Sequence, residues 1–475
     1  MSSVVSPSIR RPVAALTLAG IAAVGLVGIA APLHAQQPVS LPQPGSRITF
    51  DDALQLALRQ NVTIRQARNT IESSEAGVRQ ARMQFVPNLS FSTSTSTNVG
   101  RNFDQNEGRI INQTSQSLSA GVSSGVTLFN GFRNFADLRS AQATAEASEQ
   151  TLERTRQTVV FTVASNFLTL VTNQEQLRVQ EENLAAQEAL QAQVEQFVNA
   201  GTRAISDLYQ QQSAVASARV SVVSARRAVE LAKVDLIQTL QLDPGGMYDF
   251  VPPTLADTVA ISGDSIPSLP HYALDSLLDQ AFSRRADLSA QLSRLEAAEQ
   301  GIRGAKGGRL PSVSLNVNYN SAYTNLNDQS FLTQFDQRRG GSLGLGVSVP
   351  VFDRGNASIA TQQAEIQLEN ARLALEQQRQ AVALEVRRAV LDYEAAQEQL
   401  VAAAAQKRAA DLAVSTMQER YRVGAATLVE VTQAQAQQVQ AASGYVNARY
   451  NLVFQKSIMS YYTGELDPAS LTLAG

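Results

Sequence analysis

Few residues in this 475-residue chain have the types and spacing for catalysis. There is no Cys, so disulfides, thiolate metal sites, Cys nucleophiles and a lipid-anchoring lipobox are all excluded. The two histidines are His34 and His271, and His271 sits in a Pro-flanked stretch with no Ser/acid partner and no metal-ligand spacing around it. Gly304-Ala305-Lys306-Gly307-Gly308 lacks the spacing of a phosphate-binding loop and reads as a helix end. What remains is electrostatic. Gly201-Thr202-Arg203-Ala204-Ile205-Ser206-Asp207 and the stretch from Gly424 to Glu430 each place an acid six residues after a glycine. An acid just past a glycine turn suits the positive start of the helix that follows. The expectation is a protein without catalytic residues, cofactor or metal.

Those two stretches are turns between long helices. Leu177, Leu184, Leu190, Val194 and Phe197 form a stripe along a helical run from Asn134 to Ala200. Beyond the turn, Leu208, Val215, Val222, Val229 and Leu236 recur every seven residues, with Ala218, Ala225 and Ala232 at the companion position. Two antiparallel helices packed through alternating large and small side chains are implied. At 1.5 Å rise per residue the first arm is about 100 Å long.

The same object occurs twice. Gln174-Glu175-Gln176-Leu177 recurs as Gln397-Glu398-Gln399-Leu400, and Phe129 and Gly201 recur as Phe352 and Gly424, all at an offset of 223. Upstream, Val78-Arg79, Ala81-Arg82 and Pro87 match Ile302-Arg303, Ala305-Lys306 and Pro311 at an offset of 224. This is a tandem duplication. The expected organisation is a signal peptide over 1–35, a first repeat over 36–242, a linker or belt over 243–271, a second repeat over 272–466 and a tail over 467–475. The signal is read from Arg10 and Arg11, the apolar run Val13 to Ala31, and Leu33-His34-Ala35 before Gln36. The formal net charge is −3, and losing those two arginines makes the mature chain more acidic, so no nucleic-acid partner is expected.

Each repeat opens with a helix, expected from about Phe50 to Gln84 and from about Tyr272 to Gly307. The period then changes. Ser90, Ser92, Ser94 and Ser96 alternate with Phe91, Thr93, Thr95 and Thr97, and after a polar loop from Gly100 to Gln116 a second run puts Leu118, Ala120, Val122, Val126 and Leu128 on one face. The second copy alternates Val313, Leu315, Val317 and Tyr319 with Ser312, Ser314, Asn316 and Asn318, and returns through Leu343, Leu345, Val347, Val349 and Val351. β-Hairpins are predicted at about 87–128 and 311–352, followed by long helix hairpins at about 134–242 and 357–462. With one apolar and one uncharged face, strands of about 10 residues, and Phe129, Phe352, Tyr319 and Tyr323 near their ends, the hairpins suit a bilayer. Four strands cannot close a spanning barrel, so several chains must share one.

The order helix, hairpin, long helix, Gly turn, helix, given twice, resembles the TolC-type outer-membrane efflux family over nearly all of the mature sequence. The resemblance implies an α+β membrane protein: a homotrimer with a twelve-stranded transmembrane β-barrel, four strands per chain, continued by a coiled-coil α-helical barrel in the periplasm. It implies a passive exit duct in the cell outer membrane, bounded by outer-membrane lipid and docked through a periplasmic adaptor onto an inner-membrane transporter that sets the cargo. By the same resemblance Gly201, Thr202, Gly424 and Ala425 are adaptor contacts at the helix tips, and Asp207, Tyr421 and Glu430 belong to a periplasmic gate. The chain departs from family members with the strongest gate by carrying Ala426 in place of an Arg and Gln433 in place of a further acid. A periplasmic adaptor or coiled-coil scaffold is the competing reading; it accounts for the heptads but not for the two hairpins.

Overall fold

The computed structural model describes residues 45–104, 108–251 and 273–465, all within one unit, Pro42–Gly475. The expected signal peptide, the C-terminal tail and most of the linker, His271 included, lie outside the described residues.

The expected opening helix is two helices. α1 (Phe50–Gln60) starts in a reciprocal cap, with the Asp52 amide donating to Thr49 Oγ1 at 3.2 Å and the Thr49 amide donating to Asp52 Oδ2 at 3.2 Å; a short strand β1 (Arg47–Thr49) precedes it. The helix breaks at Asn61, whose ψ of 128° leaves the helical region and whose Oδ1 accepts from the Thr63 amide to start α2 (Val62–Met83). The second repeat breaks at the matching place: α5 (Leu274–Arg284) and α6 (Ala286–Gly307) meet at Arg285, with ψ 119°. Neither break carries Gly or Pro, the residues by which a sequence signals one.

α3 (Arg133–Asn199) and α8 (Asn356–Arg422) are both 67 residues, and the return helices α4 (Ile205–Leu240) and α9 (Leu428–Thr463) are both 36. The heptad positions Val215, Val222, Val229 and Leu236 of α4 are buried, as are Ala218 and Ala232. One core gathers Phe167, Leu170, Leu236, Leu240 and Ile64 among α1 to α4; its counterpart gathers Val382, Val386, Tyr393, Leu400 and Leu452 on α8, α9 and the second opening pair. Val171 and Val179 of α3 pack with Val446 and Tyr450 of α9, joining the repeats. β1 pairs in parallel with β4 (Asp249–Val251), which brings Phe250 against Phe167, ring centroids 6.0 Å apart. No helix among the described residues is long and apolar enough to cross a membrane.

The hairpins merge into one antiparallel sheet in the order β2 (Ser90–Asp104), β3 (Arg109–Asn130), β5 (Ser312–Thr324), β6 (Gly340–Ser348). β2 and β3, at 15 and 22 residues, exceed the expected ten, because pairing runs on from Thr97↔Gln116 to Asp104↔Arg109 through the stretch expected to be loop. Backbone ladder bonds do not need apolar alternation, so the strands run on past the stretch in which it is visible. A bulge between Thr127 and Phe129 sets Phe129, not Leu128, opposite Val313. On one face a hydroxyl ladder joins Ser90 to Ser123, Ser94 to Ser119 and Ser96 to Ser117, each at 2.7 Å. The other carries Phe91, Val122, Tyr319, Leu343, Leu345 and Val347, all exposed in the isolated chain. Where sheet meets helices, Gly131 (φ 69°) lies so close to Gly307 that a Cβ would meet its carbonyl oxygen at 2.3 Å. Phe85, Phe129, Phe132 and Phe135 cluster at this junction.

The break at Arg285 anchors an ion cluster. The guanidinium, 2 % exposed, grips Asp287 at 3.0 and 2.6 Å and Glu385 of α8 at 2.5 Å. Asp287 also accepts from Gln378 at 2.9 Å and lies 3.7 Å from Arg154 of α3, whose guanidinium sits 4.0 Å above the Tyr461 ring of α9. Burial alone would raise the Asp287 pKa, but hydrogen bonds and charge from Arg285 outweigh it and hold the carboxyl below its ordinary range. Its stabilisation is therefore complete above the ordinary carboxylate pKa and is lost as pH falls through the depressed one. Asp287→Asn should cost roughly 3 kcal/mol at neutral pH, the low end for breaking a buried pair because Glu385 still holds Arg285. In urea melts the difference from wild type should vanish as pH drops below the carboxylate range.

Candidate functional site

The tips of the two helix hairpins meet in the folded chain. α3 ends in a Schellman turn: the Thr202 amide donates to Phe197 O at 2.9 Å and the Gly201 amide to Val198 O at 2.9 Å. α8 ends identically, Ala425 donating to Arg420 O at 2.7 Å and Gly424 to Tyr421 O at 3.1 Å. The motif requires a left-handed residue, which is why glycine stands there, at φ 74° and 80°. Gly201, Thr202, Gly424 and Ala425 are all exposed, and no side chain approaches either glycine. The surface expected to meet a partner is thus free in the single chain.

The acids differ between the tips. Glu430 closes a capping box with Thr427: the Thr427 amide donates to Glu430 Oε2 at 2.7 Å and the Glu430 amide donates to Thr427 Oγ1 at 3.3 Å. Hydrogen bonds from the Thr427 backbone and hydroxyl push its pKa down. In the first repeat the cap position is Ala204, which offers no side-chain bond. Asp207 is left half-buried, without an ion pair or side-chain hydrogen bond among the described residues. One acid is engaged in starting its helix, and the other is available.

Tyr421 lies between the tips. It is 1 % exposed and packs with Leu190, Val194, Ala426, Leu428 and Val431, and its ring centroid is 6.2 Å from that of Phe197. Its hydroxyl is buried without a hydrogen-bond partner among the described residues, and desolvation raises its pKa against the opposing charge of Arg203, the Asp207 charge adding to the rise. Ala426, which stands in place of an Arg, is buried in the same cluster.

The clamp between tips comes from Arg203, a residue of the first turn whose sequence position carries no sign of this role. Its Nη2 donates to Tyr421 O at 3.2 Å and Ala426 O at 3.4 Å, and its guanidinium stands 4.5 Å from the Tyr421 ring centroid. Farther along the helices a buried amide relay adds to it. Gln211 Nε2 donates to Gln187 Oε1 at 2.8 Å, and Gln187 Nε2 to Gln435 Oε1 at 3.1 Å, tying α4, α3 and α9 together. The register carries a signal for this relay, since Gln211 stands one heptad before Ala218 on the companion position, Gln187 one heptad before Val194 and Gln435 one heptad after Leu428.

Because the Tyr421 hydroxyl is buried and unpaired, Tyr421→Phe should leave stability unchanged or raise it by up to about 1 kcal/mol. Tyr421→Ala should cost about 3–5 kcal/mol through the cavity it leaves. Thermal melts of the detergent-solubilised protein check both. Thr427→Ala, which removes the capping box, should cost about 1 kcal/mol.

The chain is similar to several known proteins over much of its length. A curated relative is the outer membrane protein TolC of Escherichia coli, 26% identical over 291 residues, or 59% of this chain and 56% of that protein. Another is the outer membrane efflux protein BepC of Brucella suis, 24% identical over 276 residues, 58% of this chain and 56% of that one. The chain thus matches about half the length of these curated relatives. Solved structures with the same fold include the outer-membrane channel OprN (TM-score 0.73, 22% identity, 87% of this chain and 89% of that one) and the outer membrane protein VceC of Vibrio cholerae (TM-score 0.73, 17% identity, 87% and 96%). The profile of the outer membrane efflux proteins matches residues 53–240 and 277–457, both repeats with their hairpins and tips, and the chain belongs to that family.

Proposed function

We propose that three copies of this chain form an outer-membrane exit duct for a tripartite efflux or secretion system. Each copy gives its four strands to a twelve-stranded barrel in outer-membrane lipid, and the helices continue as a tunnel through the periplasm. Solutes pass without chemistry, delivered by an inner-membrane transporter through a periplasmic adaptor seated on Gly201, Thr202, Gly424 and Ala425. The observation that carries this reading is the four-stranded sheet, which exposes an apolar band on one face, a face of hydroxyls and amides on the other, and an open edge at each of β2 and β6. Lipid tolerates none of these edges, and closure around a threefold axis removes all of them.

The tips are the proposed gate, with Asp207 as its ionic residue and Tyr421 as the hinge packing that sets its closed position. Glu430 acts mainly by fixing the start of α9. Reconstitution into planar bilayers should give a pore with low resting conductance and cation preference. Asp207→Ala should raise the resting conductance and reduce the cation preference, while Glu430→Ala should change them less. An unaltered current in Asp207→Ala would remove that residue from the gate. Release of the wild-type protein from membranes by carbonate would favour the scaffold reading instead.

A further inference from the structure

The segment joining β5 to β6 holds a helix that strand alternation does not announce. α7 (Phe331–Gln337) opens at Ser330, whose hydroxyl accepts from the Thr333 amide at 3.4 Å. It is fastened to the sheet. Gln334 is fully buried; its Oε1 accepts from the Thr324 amide at 3.0 Å, and its Nε2 is within hydrogen-bond distance of the carbonyls of Thr324, Asn327 and Gln329 at 3.0, 3.2 and 2.8 Å. Ser321 Oγ donates to Phe335 O at 2.6 Å. The rings of Tyr323, Phe331 and Phe335 follow one another at 5.3 and 5.1 Å.

These contacts fix the side on which α7 lies. Ser321 and Tyr323 are on the face of β5 that carries Val313, Leu315, Val317 and Tyr319, not on the face of Ser314, Asn316 and Asn318. A crevice between Phe335 and the sheet is lined by Phe91, Val122 and Tyr319 of that same face. The helix therefore covers the apolar side. It does not finish covering it, because Leu332 is 77 % exposed and Phe331 and Leu326 are also exposed, while Thr333 and Gln337 make up the far flank of the helix and Asp336, four residues on from Leu332, borders the apolar one. Arg338 and Arg339 follow, Arg339 pairing with Asp336 at 2.9 Å.

We propose that α7 is an interfacial helix: it lies outside the barrel at the outer water boundary of the membrane, with Leu332 and Phe331 against lipid acyl chains and Arg338 and Arg339 at headgroup level. The inference rests on the reading of the sheet as membrane-spanning. Its support is continuity: the apolar band of β5 runs from Val313 up to Tyr319 and Tyr323, the position of an aromatic girdle, and α7 meets the sheet at that height on that face. A short helix with one apolar and one polar side, flanked by arginines, is suited to the acyl–headgroup boundary.

The chain contains no Trp, so a single introduced indole is a unique reporter. Leu332→Trp and, as a mid-band reference on the same face, Leu345→Trp are reconstituted as full-length protein into vesicles of ordinary or acyl-brominated phosphatidylcholine. The expected result is that brominated lipid removes most of the emission of both, and that aqueous iodide leaves Leu332→Trp largely unquenched. If Leu345→Trp is quenched by brominated lipid while Leu332→Trp responds only to iodide, α7 faces water and the proposal fails with the barrel reading intact. If neither responds to brominated lipid, the membrane-spanning reading itself falls, and the proposal with it. Phe331→Trp serves as a second reporter on α7 and should behave as Leu332→Trp does.

Discussion

A β-sheet edge carries unpaired backbone amides and carbonyls, and in hydrocarbon no water is present to satisfy them. This constraint governs the whole chain. The duplication supplies two hairpins, the ladder from β3 to β5 joins them into four strands, and β2 and β6 still each present an open edge. An exposed apolar band beside a hydroxyl-lined face is unsuitable in a monomer, and the proposed closure with further copies would resolve it. The helices inherit the arrangement, because each strand pair leads into a long arm, the first through the close approach of Gly131 to Gly307.

Sheet and tips are separated by the 67-residue arms, and midway stand the two breaks at Asn61 and Arg285. They are solved differently in the two repeats. Asn61 caps the next helix with its own side chain, whereas Arg285 is buried and requires Asp287, Glu385 and Gln378 around it, with Arg154 and Tyr461 bringing in α3 and α9. The second break is thus also the fastening between repeats. An ionic cluster of this kind contributes less to net stability than to fixing one arrangement of the helices that meet there.

Much of this was legible because it rests on period. Heptads at Val215 to Leu236, alternation at Val313 to Tyr319, and glycines at 201 and 424 each report a local geometric requirement, and duplication let every reading be checked against its copy. What escaped rests on tertiary contacts with no local signature. Asn61 and Arg285 break helices without Gly or Pro. β2 and β3 extend through Asn, Gln and Thr that only the opposite strand makes regular. Arg203 reads as a loop cation until Tyr421 is seen beneath it. Asp207 and Glu430 share a spacing and differ in circumstance, because Thr427 engages one and Ala204 leaves the other.

The equal lengths of the arms carry a constraint on how such a chain can change. One residue inserted in α3 alone would advance its tip by about 1.5 Å and rotate it by about 100°, which would separate Arg203 from Tyr421 and misplace one tip relative to the other. Length drift in one repeat must therefore be matched in its copy or confined to segments that can absorb it. The offset between repeats obeys this rule, since it is 224 up to Pro87 and Pro311 and 223 from Phe129 and Phe352 onward. The single residue of divergence falls inside the hairpins, where a bulge and the loop containing α7 take up the slack. The arms have kept count with each other.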